Sequence, residues 1–321
     1  MQNREIVVDN LVKRYGDFTA VNGVSFRVES GEVYGFLGPN GAGKSTTVSM
    51  LTTLSLPTSG HATVGGYDVR SHAYDVRRVA GVALQEIGLD PLMKSLELLS
   101  LQGRVFGMNY KDSMRRAHEL LELVNLTEFT ARPVGKYSGG MRRRLDLALA
   151  LVHQPDVLFL DEPTTGLDPA SRRDIWKEVA RLNSELGITI FLTTQYLEEA
   201  DQLANRIAII NQGVIAVEGK PAELKANMGG DAINLAFEDV SLVDKAISEV
   251  QDMVTRTQID RDTLRLYLPN AAAAVPAVVT RLQAAHIQPI SLTLTQPTLD
   301  DVFLQVTGQR FATEEKEEKV A

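Results

Sequence analysis

The nine residues Gly38-Pro39-Asn40-Gly41-Ala42-Gly43-Lys44-Ser45-Thr46 have the composition and spacing of a loop that wraps phosphate. Glycines at such a place let backbone N–H groups turn inward around a β-phosphate. The positive end of a following helix adds to the attraction. Lys44 is the cation expected to reach the β- and γ-phosphates, and the Ser45 hydroxyl is the expected magnesium ligand. Further along, the apolar run Val157-Leu158-Phe159-Leu160 leads into Asp161 and Glu162. A carboxylate at the open end of a buried strand can hold Mg²⁺ opposite Ser45, directly or through water, and that is the expected role of Asp161. Glu162 can orient an attacking water or take its proton. Each group has a plainer reading, as a glycine turn capping a helix or as ordinary strand-end acids. In one chain and in this order they read as two halves of a nucleotide-hydrolysing site.

Between those halves lies Tyr137-Ser138-Gly139-Gly140-Met141, followed by a helical run. Ser138 can cap that helix, and Gly139 and Gly140 let a phosphate approach its exposed N–H groups. A plain capped helix fits the local pattern equally. The chain already has a phosphate loop for its own nucleotide, so a second anion site makes sense if it faces the nucleotide of another copy.

These residues need a scaffold, and the apolar spacing outlines it. Strands are expected at residues 6–8, 24–28, 33–36, 157–160, 189–193 and 206–210. Helices are expected at 44–54, 91–106, 113–124, 139–153, 171–186 and 197–203. The continuous apolar run at 157–160 suits a strand covered on both faces. The alternation implies a mostly parallel α/β core with a helical insertion at about 86–150. Composition changes in the turn-rich segment 219–231, which places a boundary at its end. Beyond it, residues 233–237, 242–250, 253–259, 264–268, 274–285 and 290–294 read as βαββαβ, a ferredoxin-like order, with Pro276 in the first turn of the second helix. Leu299, Val302, Phe303 and Val306 share one face of a last helix, either covering the small domain or serving as a docking surface. The expected domains are therefore 1–230 and 231–308, with a charged tail at 309–321 that is too polar to fold.

From about residue 5 to 220 the chain resembles the ATPase subunits of ABC transporters, in which two chains close face to face on ATP. The likeness rests on the phosphate loop, on YSGGM where the family usually has LSGGQ, and on Asp161-Glu162-Pro163 with the following Thr164-Thr165-Gly166-Leu167-Asp168. It implies a P-loop ABC-type nucleotide-binding domain with a helical insertion, plus the small α+β domain. By that match Tyr15 stacks on adenine, and Gln85 touches Mg²⁺ or its water and joins the core to the insertion. Asp168 becomes the acid of the loop where two subunits meet. At Gln195, in TTQYLEEA, the family usually places a histidine that contacts the γ-phosphate. Glutamine can donate a hydrogen bond there but cannot become cationic, so the expected catalytic set is Glu162, Lys44 and an uncharged Gln195. TTQYLEEADQLANRIAII and the closing PTLDDVFLQVTG resemble the ATP-binding subunits of daunorubicin/doxorubicin-resistance-type drug exporters. The resemblance implies a homodimer that uses ATP and Mg²⁺ to drive a separate polytopic membrane subunit, exporting a drug or lipid-like hydrophobic cargo.

Composition bounds the alternatives. No cysteine is present, which excludes disulfides and thiolate metal sites and suits a reducing compartment. The net charge of −8 argues against nucleic acid as a partner. Arg142-Arg143-Arg144 is too short a basic run to reverse that, and reads as a solvated helix face that can also help hold a phosphate of another copy. Charges at the N-terminus stand where a signal peptide needs an apolar core, and no apolar run approaches the roughly 20 residues of a membrane span. A peripheral place on the cytoplasmic face of the membrane is therefore expected. Two other functions stay open. One is a soluble ABC-type ATPase acting on a macromolecule, though such chains tend to pair two nucleotide domains or carry a coiled coil. The other is a nucleotide-dependent binding module with little turnover, to which Gln195 alone points.

Overall fold

The structure, a computed structural model, describes residues 4–86, 88–227, 232–239, 241–260, 262–268, 270–295 and 297–308. The charged tail expected at 309–321 and the boundary expected at 230 lie outside the described residues. The chain divides into two compact units, Met1–Gly219 and Lys220–Phe311.

The first unit opens with a long antiparallel hairpin, β1 (Ile6–Tyr15) and β2 (Phe18–Val28), then β3 (Val33–Leu37) and α1 (Lys44–Leu51). Next come β4 (Ser59–Val64), β5 (Tyr67–Asp68), α2 (Ala73–Val79) and β6 (Ala80–Ala83). The helical insertion holds α3 (Ser95–Val105), α4 (Tyr110–Leu123) and α5 (Gly139–Ala150). The unit closes with β7 (Val157–Asp161), α6 (Pro169–Leu186), β8 (Thr189–Thr194), α7 (Leu197–Leu203), β9 (Arg206–Asn211) and β10 (Val214–Gly219). The six-stranded sheet has the order β10-β9-β3-β8-β7-β6. Its strands from β9 to β6 run parallel, and β10 is an antiparallel edge. A second sheet, β2-β1-β4-β5, is antiparallel.

The central parallel strands β3, β7 and β8 are buried at every position and mostly apolar because both faces are covered, with polar residues at the ends of β7 and β8. In β7, Val157 and Phe159 face the side shared with the hairpin, while Leu158 and Leu160 face the helices. In β8, Phe191 joins the first side, and Ile190 and Leu192 the second. The hairpin side is an aromatic cluster in which Phe26 stacks on Tyr34 with centroids 5.4 Å apart and on Phe191 at 5.6 Å. Leu145, Leu147 and Ala148 of α5 and Ile175, Val179 and Leu182 of α6 fill the helical side. Both faces thus clamp β3 and β7, whose ends carry the phosphate loop and the acidic pair.

Several expectations are corrected. The helix expected at 44–54 stops at Leu51, because Thr53 takes a left-handed backbone at φ +63°. The helix expected from 91 starts at Ser95, after a Lys94 N–H bond to Glu97 Oε2 of 2.9 Å opens it. β4, β5, β6, β10 and α2 were not expected.

In the second unit, α8 (Pro221–Ala226) precedes β11 (Ala232–Ala236), α9 (Ser241–Val250), β12 (Arg256–Asp260), β13 (Thr263–Tyr267), α10 (Ala271–Ala284), β14 (Ser291–Thr295) and α11 (Leu299–Thr307). The antiparallel sheet order β12-β13-β11-β14 is that of a ferredoxin-like fold. Ile233, Leu235, Leu264 and Leu266 face α9 and α10. Leu299, Val302 and Phe303 of α11 are buried while Val306, on the same stripe, is exposed, and α11 packs against α8. Pro276 is not in the first turn of α10. The alanine run 271–274, a strong helix former, extends the helix toward its N-terminus and leaves Pro276 inside it.

Candidate functional site

The phosphate loop leaves the end of β3 and turns into α1, and two of its glycines leave no room for a side chain. A Cβ at Gly38 would sit 2.4 Å from the Ile210 carbonyl. Gly43 has φ +107°, and a Cβ there would sit 2.6 Å from the Ala20 carbonyl. Lys44 does not extend into solvent. Its ammonium donates to the Gly38 carbonyl at 2.8 Å and the Pro39 carbonyl at 3.1 Å, and pairs with Glu162 Oε1 at 3.0 Å. Ala42 N–H closes the turn on Pro39 O at 3.2 Å. A cavity of about 360 Å³ opens above the loop, lined by Asn40, Gly41, Gly43, Lys44, Ser45 and Thr46, with Gln85 and Glu162 across from them.

The acids arrive from the buried end of β7. Ser45 Oγ donates to Asp161 Oδ1 at 3.3 Å, and the Thr193 hydroxyl donates to the same oxygen. Hydroxyl and carboxylate oxygens facing each other beside a polyphosphate loop are the hard donors that Mg²⁺ prefers, so the residues fit that ion. Among the described residues no group of three or more His, Cys, Asp or Glu side chains gathers to hold a metal without such help. Glu162 has φ +48°, and its N–H donates to Thr193 O and Oγ1, each at 3.1 Å. Its Oε2 accepts from Gln85 Nε2 and from Thr165 Oγ1, both at 3.2 Å. Gln85, carried from the edge strand β6, is thus bonded to the catalytic candidate itself.

Gln195 follows β8, whose Thr193 stands in register with Asp161. The side chain is 7% exposed and lies one residue beyond the strand end. Gln195→Ala is expected to lower hydrolysis, while Gln195→His leaves it largely intact, because both Gln and His can donate a hydrogen bond and Ala cannot. Steady-state phosphate release by the two variants checks this, and parental turnover in the Ala variant refutes the contact.

Behind the acids, Thr164 Oγ1 and Trp176 Nε1 each donate to Glu199 Oε1 at 2.9 Å. Burial pushes the Glu199 carboxyl above the usual carboxylate range. This knot ties the loop after Glu162 to α6 and α7, and nothing in the local sequence marks it.

Ser138 caps α5 by accepting from Met141 N–H at 3.2 Å. A Cβ on Gly140 would meet Ser171 Oγ at 3.1 Å, and one on Gly139 would meet Leu167 at 3.3 Å. Tyr137, where the expected motif has leucine, is buried, with its hydroxyl bonded to the Phe129 carbonyl at 2.9 Å and to Ser95 Oγ at 3.1 Å. Asp168 caps α6, accepting from the N–H groups of Ala170 and Ser171 at 3.0 Å each, and from Ser171 Oγ at 2.6 Å. The Ser171 hydroxyl above all holds its carboxyl below the ordinary value. None of Ser138, Gly139, Gly140 and Asp168 lines the cavity above the phosphate loop.

Tyr15 does not line that cavity either. It is half exposed, with the Lys13 ammonium 4.9 Å from its ring centre. Phe18, its partner across the hairpin turn, does line it. Sequence reading missed Phe18, although a second aromatic three residues on was the available signal.

A P-loop between a parallel strand and a helix, with carboxylates delivered from the strand two places along the same sheet and an SGG-capped helix in a helical insertion, defines an ATP-binding cassette. The ABC transporter family matches residues 21–165, and a domain described as the C-terminal domain of DrrA1-3-like ATP-binding proteins matches residues 219–307. The daunorubicin resistance ATP-binding protein DrrA3 of Streptomyces coeruleorubidus is 44% identical over 96% of this chain and 97% of its own. The doxorubicin resistance ATP-binding protein DrrA of Mycobacterium tuberculosis is 42% identical over 94% of this chain and 93% of its own. Among solved structures, an ATP-binding cassette in a dimeric post-hydrolysis state bound to ADP and Pi superposes with a TM-score of 0.61. It is 27% identical, covering 67% of this chain and 98% of that one. The chain belongs to the ATP-binding proteins of ABC transporters, and within them to the daunorubicin/doxorubicin resistance group, and it is an ATPase.

Proposed function

We propose that two copies of this chain close on two ATP molecules and drive a separate polytopic membrane subunit that exports a drug or lipid-like hydrophobic cargo. The observation that carries the pairing is a division of labour. Lys44, Ser45, Gln85 and Glu162 gather at one cavity, and Ser138, Gly139, Gly140 and Asp168 are not among its lining. In the dimer each ATP rests on the loop of residues 38–46, with Tyr15 and Phe18 at its adenine end, and meets the capped α5 terminus of the other copy. Glu162 orients a water and takes its proton as the water attacks the γ-phosphorus and the bond to ADP breaks. Lys44 and Gln195 hold the γ-phosphate. Magnesium, for which Ser45, Asp161 and Gln85 are the holding residues, neutralises phosphate charge when bound. ADP and phosphate then place like charges in the interface, which opens.

The membrane partner has a place to dock. A groove of about 460 Å³ lies beside the insertion, lined by Leu84, Leu89, Gln102, Phe106, Leu149 and His153 among others. Gln85 follows Leu84 directly, so movement at the site reaches the groove. Leu89 lines the groove, whereas Leu99 is fully buried in the core of the insertion. No helix among the described residues is long and apolar enough to cross a membrane. In this reading the chain is held at the cytoplasmic face of the membrane as a peripheral protein, through its contact with the membrane subunit.

Light scattering tests the pairing. The hydrolysis-blocked Glu162→Gln chain is expected to become a dimer with ATP, and adding Ser138→Arg should keep it monomeric without loss of ATP binding. A dimer in both, or a monomer in both, refutes the arrangement. Docking is tested by coexpression with the membrane subunit. Leu89→Glu is expected to move the ATPase chain out of the membrane fraction with ATP binding intact, and unchanged cofractionation refutes the groove assignment.

A further inference from the structure

Arg143 was expected on a solvated helix face, but it is 2% exposed. Its Nε donates to the Pro163 carbonyl at 2.8 Å, and its Nη2 to the Asp161 carbonyl at 3.0 Å. Its Nη1 donates to the Leu84 carbonyl at 2.6 Å and to Asp146 Oδ2 at 3.0 Å. The first two carbonyls stand on either side of Glu162, the residue at φ +48°. A side chain disfavours that left-handed backbone, which persists only where the surroundings fix it. The third carbonyl belongs to the residue before Gln85, whose amide donates to Glu162 Oε2 at 3.2 Å. One planar guanidinium thus grips the backbone on both sides of the catalytic carboxylate and the residue preceding its glutamine partner. A rigid fork with five donors suits that task, and an ammonium does not.

We propose that Arg143 is a positioning residue for ATP hydrolysis. It fixes the backbone of Glu162 and Leu84 relative to the Ser138-Gly139-Gly140 helix on which it rides, so that helix and carboxylate move as one body. Asp146 completes the device. It anchors the guanidinium to its own helix one turn on, and it also lines the groove beside Leu84. Burial pushes the Asp146 carboxyl up to about 6, with Arg143 opposing the shift. The inference rests on the proposed role of Glu162 as the base.

The test is single-turnover hydrolysis of prebound ATP by the full chain, with equilibrium ATP binding measured beside it. Arg143→Lys keeps the charge but cannot reach all four acceptors. It is expected to hydrolyse about 10- to 100-fold more slowly, the scale of a misplaced catalytic group, with ATP affinity within about threefold of the parent. In the Glu162→Gln background the same change is expected to cost less than about threefold, because a base that is absent cannot be misplaced. A structural role alone would lower binding along with rate, and would add its full loss to Glu162→Gln. Either result overturns the proposal, as does parental hydrolysis by Arg143→Lys when Glu162→Gln is inactive. Parental hydrolysis by Glu162→Gln instead refutes the base assignment itself. Should Arg143→Lys not fold, Arg143→Gln, which retains two donors, is measured the same way.

Discussion

Glu162→Gln is expected to bind ATP as the parent does and to hydrolyse it about 10²- to 10⁴-fold more slowly, the usual contribution of a general base. The amide keeps the shape and can still hydrogen-bond Gln85 and Thr165, but it cannot accept a proton from water. Lys44 retains its two carbonyl acceptors, Gly38 and Pro39, so the loop keeps its form. Phosphate release and ATP binding, measured on the same preparation, separate the two effects. Hydrolysis at the parental rate would remove Glu162 from the mechanism, and loss of binding would mean that its charge shapes the loop rather than the reaction.

Lys44→Met is expected to lose ATP binding and also to lower the melting temperature. Lys44 is 4% exposed and Glu162 5%, so the pair is buried. Removing one partner of a buried pair leaves an uncompensated charge and costs about 3–5 kcal/mol. For a unit of this size that lowers the melting temperature by on the order of 10 °C. The double variant Lys44→Met/Glu162→Gln removes both charges and is expected to recover most of the loss while remaining inactive. Differential scanning calorimetry of the parent, both single variants and the double variant forms a complete cycle. A Lys44→Met chain that melts with the parent would show that the pair contributes nothing to the fold.

How far the sequence could be read depended on whether a signal was local. The phosphate loop, the acids ending β7 and the SGG cap of α5 are each set by a few adjacent residues, and the structure brings the first two together. The βαββαβ order was legible because β11, β13 and β14 alternate and α9 repeats at helical spacing, while β12 was read only as the partner of β13. β4 and β5 mix polar residues with apolar ones, so only pairing with neighbours defines them, while β6 lies in the apolar run 79–84, a signal passed over. Three adjacent arginines look solvated in composition, yet Arg143 shares a helix face with buried Leu147 and Ala150, and that spacing was the signal passed over. Phe18 and Tyr15 lie on either side of one turn, and only the hairpin geometry tells which of them borders the cavity. The bond from Gln85 to Glu162 joins residues far apart in the chain, and no window of sequence contains both.

Trp176 is the chain's single tryptophan, and its indole N–H donates to the Glu199 oxygen that also takes the Thr164 hydroxyl. Thr164 belongs to the loop that leaves Glu162. The molecule therefore carries one indole fluorophore, wired by two hydrogen bonds to the loop that leaves the proposed base. Emission at tryptophan wavelengths can be followed without subtracting a second source. With no cysteine in the sequence, an acceptor dye can be placed at any surface position by introducing one thiol, and the distance to Trp176 becomes an optical ruler for closure.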